Sequence, residues 1–281
     1  MKTILTIALA ATLTACGGMQ DAHAERVRQI YRPSLPAVSI TAPDGRTTIS
    51  TCVHDAGAIC SLVRNGVEYI NDTDHGRQLQ SAVSYDGKGE NDNPTEAGAS
   101  HLTNGYNPSP SSSRLVESSG AGNVISTFSQ MAYWNPVAGQ RTSDTYFEKR
   151  VQFVTPTVIR YDVAYVVPKK QAATFETLTA YMPAAFSEFY TADGAHLSDG
   201  PGEQEKPVIL ATPNGQHAMG IYSPRTVGYG RWRFRADGVV KWNAVVRDTN
   251  VEGIYRFTLY VVVGTLDSVR ADIAKLSQQP L

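Results

Sequence analysis

The stretch YGRWRFRADGVVKWNAVVR (residues 229–247) contains two β-strand patterns joined by a tight-turn pair. In its first half, arginines alternate with aromatic residues, and residues that alternate along a strand lie on opposite faces of the sheet. Asp237-Gly238 is a pair that favours the two-residue turn of a β-hairpin. The stretch therefore predicts an antiparallel hairpin, which is a building unit of all-β folds.

Two interpretations of the side chains of this hairpin are open. In the first, Trp232, Phe234 and Trp242 enter the core and the arginines face solvent. In the second, the arginines, including Arg231, form a basic strip that binds an anionic polymer such as a uronate or a sulfated glycan.

Similar strand patterns recur along most of the chain, separated by Gly, Pro, Asn and Asp. One segment, Asp267 to Gln278, instead predicts an amphipathic helix. The sequence therefore predicts an all-β fold, an antiparallel β-sandwich of the supersandwich or jelly-roll type, with a short C-terminal helix. The predicted strands are 37–41, 47–54, 58–64, 77–85, 123–132, 145–154, 157–167, 173–182, 208–211, 218–222, 229–234, 239–247 and 255–263.

The N-terminus has the pattern of an export signal. A positive start is followed by an apolar run, Ile4 to Ala15, that is too short to span a bilayer. The run ends in a small residue followed by Cys16, which resembles the lipobox of bacterial lipoproteins. We therefore expect residues 1–15 to be a signal peptide, residues 16–32 a lipidated flexible tether and residues 33–281 a single β-sandwich domain.

This resemblance implies acylation of Cys16, which would tether the protein to a membrane of the bacterial cell envelope on its extracytoplasmic side. The alternative is an ordinary cleaved signal peptide with an incidental cysteine. In an oxidising compartment, Cys52 and Cys60 are expected to form a disulfide across a tight turn. A zinc site with His54 is the rival interpretation, but the sequence offers no further cysteines to complete it.

Charge and motifs exclude several classes of function. The chain has 25 Lys and Arg against 26 Asp and Glu, so its net charge of −1 argues against a nucleic-acid partner. It contains no Gly-x-Ser-x-Gly elbow, phosphate-binding glycine loop, dinucleotide fingerprint or His-Glu-x-x-His motif. Esterase, ATPase, dehydrogenase and zinc protease activities are therefore not indicated.

Residues 71–98 contain more polar side chains than the turns between strands require. His75 follows Asp74, and a carboxylate beside a histidine suits proton transfer near neutral pH. Arg77 begins a strand in which Gln78 and Gln80 share one face, where their amides could bind sugar hydroxyls. The alternatives are turn-capping carboxylates and an ordinary solvent-facing strand.

Two glutamates in the next loop, Glu90 and Glu96, flank Asn93. Paired carboxylates are what glycoside hydrolysis requires, one as the acid and the other as base or nucleophile. A calcium site built from Asp86, Glu90 and Asp92 is an alternative, as is a solvated loop, although the spacing fits no calcium-loop template. We therefore predict no metal or other cofactor.

The strings Asp74-His75-Gly76-Arg77-Gln78, Asn93-Pro94-Thr95-Glu96-Ala97-Gly98, Asp199-Gly200-Pro201-Gly202-Glu203-Gln204 and Tyr229-Gly230-Arg231-Trp232 resemble a family of secreted bacterial proteins of uncharacterised activity. The resemblance extends over residues 67–266 and implies an extracytoplasmic β protein. The chain is more loosely similar to galactose-mutarotase-like β-sandwiches and to β-sandwich polysaccharide lyases, and this likeness implies a fold rather than an activity.

Together these patterns predict a membrane-tethered, carbohydrate-active enzyme, with a glycoside hydrolase, an epimerase and a polysaccharide lyase as the candidate classes. The alternative is a non-catalytic surface lipoprotein that binds a glycan or a partner protein. The predicted proton-transfer residues are His75, Glu96 and Glu203. The predicted substrate-binding residues are Asp74, Arg77, Gln78, Gln80, Glu90, Asn93, Trp134, Tyr181 and Arg231.

Overall fold

The computed structural model of the protein describes residues 37–72, 76–85, 93–98, 111–134 and 142–279. These residues form antiparallel strands and, at the C-terminal end, one α-helix, α1 (Leu266–Ser277). The strands are β1 (Ser39–Thr41), β2 (Thr47–Thr51), β3 (Ile59–Arg64), β4 (Val67–Glu68), β5 (Leu79–Tyr85), β6 (Pro94–Thr95), β7 (Arg114–Ala121), β8 (Val124–Tyr133), β9 (Thr142–Phe153), β10 (Val158–Pro183), β11 (Glu188–Thr191), β12 (His196–Leu197), β13 (Gly202–Gln204), β14 (Val208–Ala211), β15 (Ala218–Tyr222), β16 (Gly228–Phe234) and β17 (Val239–Gly264).

The strands form one continuously paired sheet, part of which closes into a seven-stranded antiparallel barrel with further strands outside it. The predictions of an all-β fold and of a short C-terminal helix are therefore confirmed. The predicted hairpin is also present, since β16 and β17 pair from Gly228↔Val245 to Phe234↔Val239. The finer prediction, a β-sandwich of the supersandwich or jelly-roll type, stays a prediction.

The two longest strands, β10 and β17, pair along almost their entire length and form a two-stranded ribbon. The register shifts between Val167 and Gln171, and such a shift marks a bulge that bends a strand. The bulge divides the ribbon into a first leg, residues 158–167 paired with 253–262, and a second leg, residues 171–183 paired with 239–251. Strand β9 pairs with the first leg and β5 with the second, so the ribbon connects two parts of the fold.

The main core extends along the inner faces of both legs, from Tyr161 and Leu259 to Leu178 and Trp242. Trp242 is fully buried and packs in one cluster with Leu178, Met182 and Ala244. A second cluster lies under α1, where Val269, Ile273 and Leu276 are buried as the predicted apolar stripe requires. Within the described residues, α1 and the short helical turns are all too short or too polar to cross a membrane as a helix.

A disulfide joins Cys52 to Cys60, as predicted, and closes a tight turn between β2 and β3. The turn is a short helical segment, Val53–Asp55, followed by Ala56 in the left-handed conformation at φ 52°. The bond therefore holds a segment whose backbone geometry is unfavourable for a residue with a side chain.

Removing this bond, by replacing both Cys52 and Cys60 with serine, is expected to lower the free energy of unfolding by about 2–3 kcal/mol. The reason is that cross-linking a short loop removes conformational freedom from the unfolded chain. Urea unfolding followed by circular dichroism measures the effect. Dithiothreitol should produce a similar loss in the wild type and none in the variant. Equal stability of the two proteins would contradict the prediction.

Candidate functional site

Part of the polar segment 71–98 meets the short helical turn Val53–Asp55 at the start of β5. Four side chains form what we call the His54 cluster: His54, Asp55, Asp72 and Gln78. His54 Nε2 lies 3.0 Å from Asp55 Oδ2 and 3.9 Å from Asp72 Oδ2. Gln78 Nε2 donates to Asp72 Oδ1 at 2.5 Å, and Gln78 Oε1 accepts from Gly76 N at 2.8 Å. One imidazole nitrogen therefore faces two carboxylates.

Burial in the His54 cluster is uneven, which suits it to acid–base chemistry. The Asp55 side chain is 1% exposed, whereas that of His54 is 39% exposed. A buried carboxylate can hold the imidazole in one orientation while the opposite side of the ring stays accessible. The disulfide and the Val53–Asp55 turn position this pair from below.

A large aromatic side chain borders the cluster. Trp134 lies against Gly76, where a Cβ atom would come within 2.2 Å of the indole ring, so only glycine fits at this position. The Trp134 amide donates to Asn93 O at 2.7 Å. The Asn93 Oδ1 atom is buried and accepts no hydrogen bond from the described residues. Trp134 thus links Asn93 to the Gly76–Gln78 segment, and these positions include three of the residues predicted to bind substrate.

Beneath the cluster lies a buried ion pair. Lys149 Nζ contacts Glu96 Oε1 and also donates to Gly57 O, in the turn that carries His54. Both side chains are 0% exposed. Glu96 Oε2 accepts from Ser81 N at 3.1 Å, and the Tyr161 hydroxyl lies 3.5 Å from the same oxygen. Burial lowers the pKa of Lys149 and raises that of Tyr161, while the Glu96 carboxylate favours the charged lysine.

A second group of side chains lies on the solvent-facing side of the second leg. Trp232, Lys241 and Tyr181 are paired across β16, β17 and β10, so they share one face, and Phe234 is on the same face two residues after Trp232. We call these four residues the aromatic patch. Lys241 Nζ lies 5.4 Å from the Tyr181 ring centroid and 5.7 Å from that of Trp232, within cation–π range.

A polar row runs beside the aromatic patch on the same face. Glu203, Gly230, Asn243, Thr179 and Gln80 are aligned partners on five adjacent strands. With strands about 4.8 Å apart, the row is roughly 19 Å long. Exposure falls along it, from 46% for the Glu203 side chain to 8% for Thr179 and 6% for Gln80. The row is therefore open at β13 and covered at β5.

Glycines let the polar side chains lie flat on the sheet. A Cβ at Gly228 would meet Glu203 Oε1 at 2.0 Å, and one at Gly230 would meet Asn243 Oδ1 at 2.2 Å. Glu203 Oε1 also lies 3.4 Å from Arg247 Nη1. The face consequently presents a carboxylate, an amide and a guanidinium next to aromatic rings, which is a combination that can bind sugar hydroxyls and ring faces.

The His54 cluster and the aromatic patch are neighbours. Asn71, which directly precedes Asp72, donates its amide to the carbonyl of Tyr181 at 2.8 Å. Strand β5 follows Gln78 and pairs with β10, with Leu79 opposite Ala180. The segment that carries the acid–base groups is therefore joined directly to the strand that carries one of the aromatic rings.

Two arginines of the opening hairpin, Arg231 and Arg233, lie on the opposite face. Arg231 donates to Ser198 O at 2.6 Å and to Gln204 Oε1 at 2.9 Å, and partial burial lowers its pKa. Arg233 lies 3.3 Å from Asp199. These arginines therefore bind the segment that leads into β13. The prediction that Trp242 enters the core is confirmed, but it was wrong for Trp232, which is 40% exposed.

Several predicted residues cannot be placed in this site. Cys16, Asp74, His75 and Glu90 lie outside the described residues. Glu96 lies under the His54 cluster, whereas Glu203 lies at the far edge of the polar row, so the structure does not bring these two carboxylates together. Arg231 donates hydrogen bonds to Ser198 and Gln204, which hold its guanidinium against the loop before β13.

Sequence reasoning missed the His54–Asp55 pair, because His54 was weighed only as a zinc ligand. A histidine followed by an aspartate is a visible pattern in a sequence. Whether the two side chains touch depends on the helical turn at Val53–Asp55 and on the burial of Asp55. A metal is a weaker interpretation of this cluster. Donor atoms of Cys52, His54, Asp55 and Asp72 lie within 4.8 Å of one another, but the Cys52 sulfur is in the disulfide. Three donors remain, fewer than a closed structural zinc site requires.

A cavity of about 390 Å³ lies elsewhere, between α1 and the strands beneath it. Each of its charged groups has a partner within the protein, since Asp272 accepts from Lys275 at 3.1 Å and Arg160 donates to Asp162 at 2.9 Å. We therefore base the candidate site on the His54 cluster and the aromatic patch.

No protein-family model matches the chain, and no curated protein matches it in sequence. Its fold is similar to that of 4-alpha-glucanotransferase from Thermococcus litoralis, with 10% identity and a TM-score of 0.50 over 85% of this chain and 41% of that one. A galactose mutarotase related enzyme from Lactobacillus acidophilus is similar at 11% identity and a TM-score of 0.50, over 82% of this chain and 98% of that one.

A heparan sulfate lyase from Pedobacter heparinus has a TM-score of 0.45 at 11% identity, over 88% of this chain and 41% of that one, which is too low to carry an argument. Identities of this size show similarity of fold alone. The chain spans 41% of the glucanotransferase that it matches. The predicted likeness to galactose-mutarotase-like proteins is thus supported at the level of fold, within a group of structures that includes carbohydrate-active enzymes.

Proposed function

We propose that this protein is an extracytoplasmic, carbohydrate-active enzyme that binds a glycan over the aromatic patch and moves protons with the His54–Asp55 pair. The observation that carries the proposal is the 3.0 Å contact between an accessible imidazole and a buried carboxylate, at the border of a face with exposed Trp232. Fold similarity to carbohydrate-active enzymes supports the same class of substrate.

The proposed chemistry divides between the aromatic patch with its polar row, which would bind the sugar, and the His54 cluster, which would transfer the proton. Aromatic rings offer apolar faces on which a sugar ring can stack, and Asn243 and Glu203 offer hydrogen bonds to its hydroxyls. A histidine held by a carboxylate can take a proton from a sugar hydroxyl or ring carbon and return it to a leaving oxygen. Hydrolysis, epimerisation and elimination all require such a step.

The sequence-based catalytic candidates belong to the same proposal. Glu203 presents its carboxylate on the polar row, and His75 follows Asp72 by three residues in the chain. Glu96 has no exposed surface, so direct proton transfer from it to a substrate requires that its contact with Lys149 opens. The lipid anchor at Cys16 and the envelope location are proposed on the sequence pattern of the N-terminus.

A second candidate function is glycan binding without turnover. The observation that favours it is the open aromatic patch, because Trp232, Phe234 and Tyr181 form a stacked series with centroid distances of 5.7 and 6.3 Å. Such a platform can bind sugars without any catalytic group.

Isothermal titration with maltohexaose, heparan sulfate and galactose, followed by analysis of products, separates the two functions. Maltohexaose and galactose represent the substrate classes named by the structures with similar folds, and heparan sulfate represents the anionic glycans considered from the sequence. Binding with turnover supports the enzyme, and an unsaturated product that absorbs in the near ultraviolet identifies a lyase. Binding without turnover supports the second candidate. Absence of binding to all three probes contradicts the proposal for these classes.

Trp232→Ala is expected to weaken glycan binding by about 1–2 kcal/mol, roughly a 5- to 30-fold rise in Kd, because it removes an exposed stacking surface. Tyr222→Ala is the matched control, since Tyr222 stacks on Tyr260 at 6.5 Å on a different part of the sheet. Calorimetric titration should show little change for the control. Equal losses in the two variants would show that the patch has no special role.

A further inference from the structure

A second group of ionisable side chains lies at the bend of the β10–β17 ribbon, on the inner side. The Tyr255 hydroxyl, from the first leg, contacts Glu176 Oε2 at 3.1 Å and also contacts Asp248 Oδ2. Glu176 and Asp248 both belong to the second leg, on strands β10 and β17. One phenol therefore connects two carboxyl groups across the bend, and it connects the two legs of the ribbon.

Counting protons in this group shows that one carboxyl must carry a proton. A phenol has a single proton and donates it to one acceptor at a time. If both carboxyls were ionised, one carboxylate oxygen would lie against the phenol oxygen with no proton between them. The lone pairs of the two oxygens would then repel each other. Burial raises the pKa of Tyr255, so the phenol keeps its proton. The missing proton must therefore be on Glu176 or on Asp248.

Asp248 is the carboxyl that has a positively charged partner. Its Oδ2 also contacts the guanidinium of Arg225, and its side chain is 29% exposed. Glu176, in contrast, is 1% exposed, and its Oε1 atom is buried and has no hydrogen-bond partner among the described residues. An unpaired oxygen costs less in a neutral carboxyl than in a buried carboxylate. The proton therefore belongs on Glu176.

We propose that Glu176 carries a proton and forms, with Tyr255 and Asp248, a pH-sensitive latch between the two legs of the ribbon. Protonated Glu176 donates to the Tyr255 oxygen, Tyr255 donates to Asp248, and Asp248 pairs with Arg225. Solvent reaches this series of hydrogen bonds at Asp248 and Arg225, which are partly exposed.

The surroundings of Glu176 agree with this arrangement. Besides Tyr255 and Asp248, the groups that face it are the Thr174 hydroxyl on its own strand and the phenols of Tyr85 on β5 and Tyr165 on β10. None of these supplies a positive charge. Burial raises the pKa of Glu176 to about 7, and the negative charge of Asp248 contributes to the rise.

The latch makes the stability of the second leg, which presents the aromatic patch, depend on pH. Glu176 lies on the same strand as Thr179 and Tyr181, three and five residues before them. When Glu176 loses its proton, the carboxylate repels Asp248 and the bend loses one hydrogen bond. Because the pKa in the folded protein is above the ordinary value, the stabilisation is complete at low pH and is lost as the pH rises through about 7.

Urea unfolding at pH 5, 6, 7 and 8, followed by circular dichroism, tests the latch. The wild-type midpoint is expected to fall over this range relative to that of Glu176→Gln, which carries no titratable proton. Glu148→Gln, an exposed position on β9, is the matched control and should follow the wild-type profile. The proposal is overturned if Glu176→Gln shows the same pH profile as the wild type.

Asp248→Asn provides an independent test if Glu176→Gln does not fold. Removing the neighbouring charge favours ionisation of Glu176, so the fall in the midpoint should move to lower pH. A fall at the wild-type pH would overturn the proposal.

Discussion

Lys149→Met is expected to lower the free energy of unfolding by about 3–5 kcal/mol, because it leaves the Glu96 carboxylate buried without its positive partner. Methionine keeps most of the length of the lysine side chain, so little cavity forms. The partners left to Glu96 are a backbone amide and a distant phenol, which do not neutralise its charge. Guanidinium unfolding measures the loss.

Two further variants identify charge as the cause. Lys169→Met removes an equivalent charge from an ion pair in which Lys169 and Asp144 are 80% and 77% exposed, so its effect should stay within about 0.5 kcal/mol. The double variant Glu96→Gln with Lys149→Met should recover most of the stability, because neither buried group is then charged. If the double variant is as unstable as Lys149→Met alone, unpaired charge is not the reason for the loss.

The position of Glu96 shows why a glutamate in a polar loop cannot be assigned to a site from sequence alone. The loop that contains Glu96 is unusual in composition, since turn chemistry does not require a glutamate there. Its partner is 53 residues away on β9, where Lys149 occupies an inward position of a regularly alternating strand. A buried lysine in such a pattern is a detectable signal, but only its pairing with Glu96 explains it.

The strands that sequence patterns predicted best are those with regular alternation or β-branched runs. The predicted strands 218–222 and 208–211 coincide with β15 and β14, whereas β7 was missed because Ser118, Ser119 and Gly120 give it no apolar pattern. Strand β7 is held by pairing with β8 rather than by its own composition. Tertiary pairing of this kind leaves no local trace in a sequence.

The faces of the opening hairpin were harder to predict than its strands. Alternation correctly separated Trp232 from Arg231, but it does not say which face points inward. Two contacts determine which face of the hairpin points inward. Trp242 fills the core from the partner strand, and the segment before β13 covers the arginines on that face. A prediction based on residue type therefore buried the wrong aromatic ring.

His54→Ala is expected to lower kcat by about 10²- to 10⁴-fold on any glycan that the wild type converts, since general acid–base groups contribute about 3–5 kcal/mol to such reactions. The affinity for the glycan should change little, because stacking on the aromatic patch is left intact. Steady-state kinetics and calorimetric titration of the same variant distinguish a loss of proton transfer from a loss of binding. Trp232→Ala should show the opposite pattern.

His196→Ala is a matched control for this variant. His196 Nε2 lies 2.9 Å from Glu188 Oε2, so it is also a histidine paired with a carboxylate, but on β12 and with the imidazole 60% exposed. If both histidine variants lose turnover equally, the effect is not specific to the His54 cluster. Asp55→Asn then tests the buried partner, because an amide of the same size keeps the packing but removes the charge that orients the imidazole. Full activity of Asp55→Asn would show that His54 does not depend on this contact, and the mechanism would have to be built on Asp72.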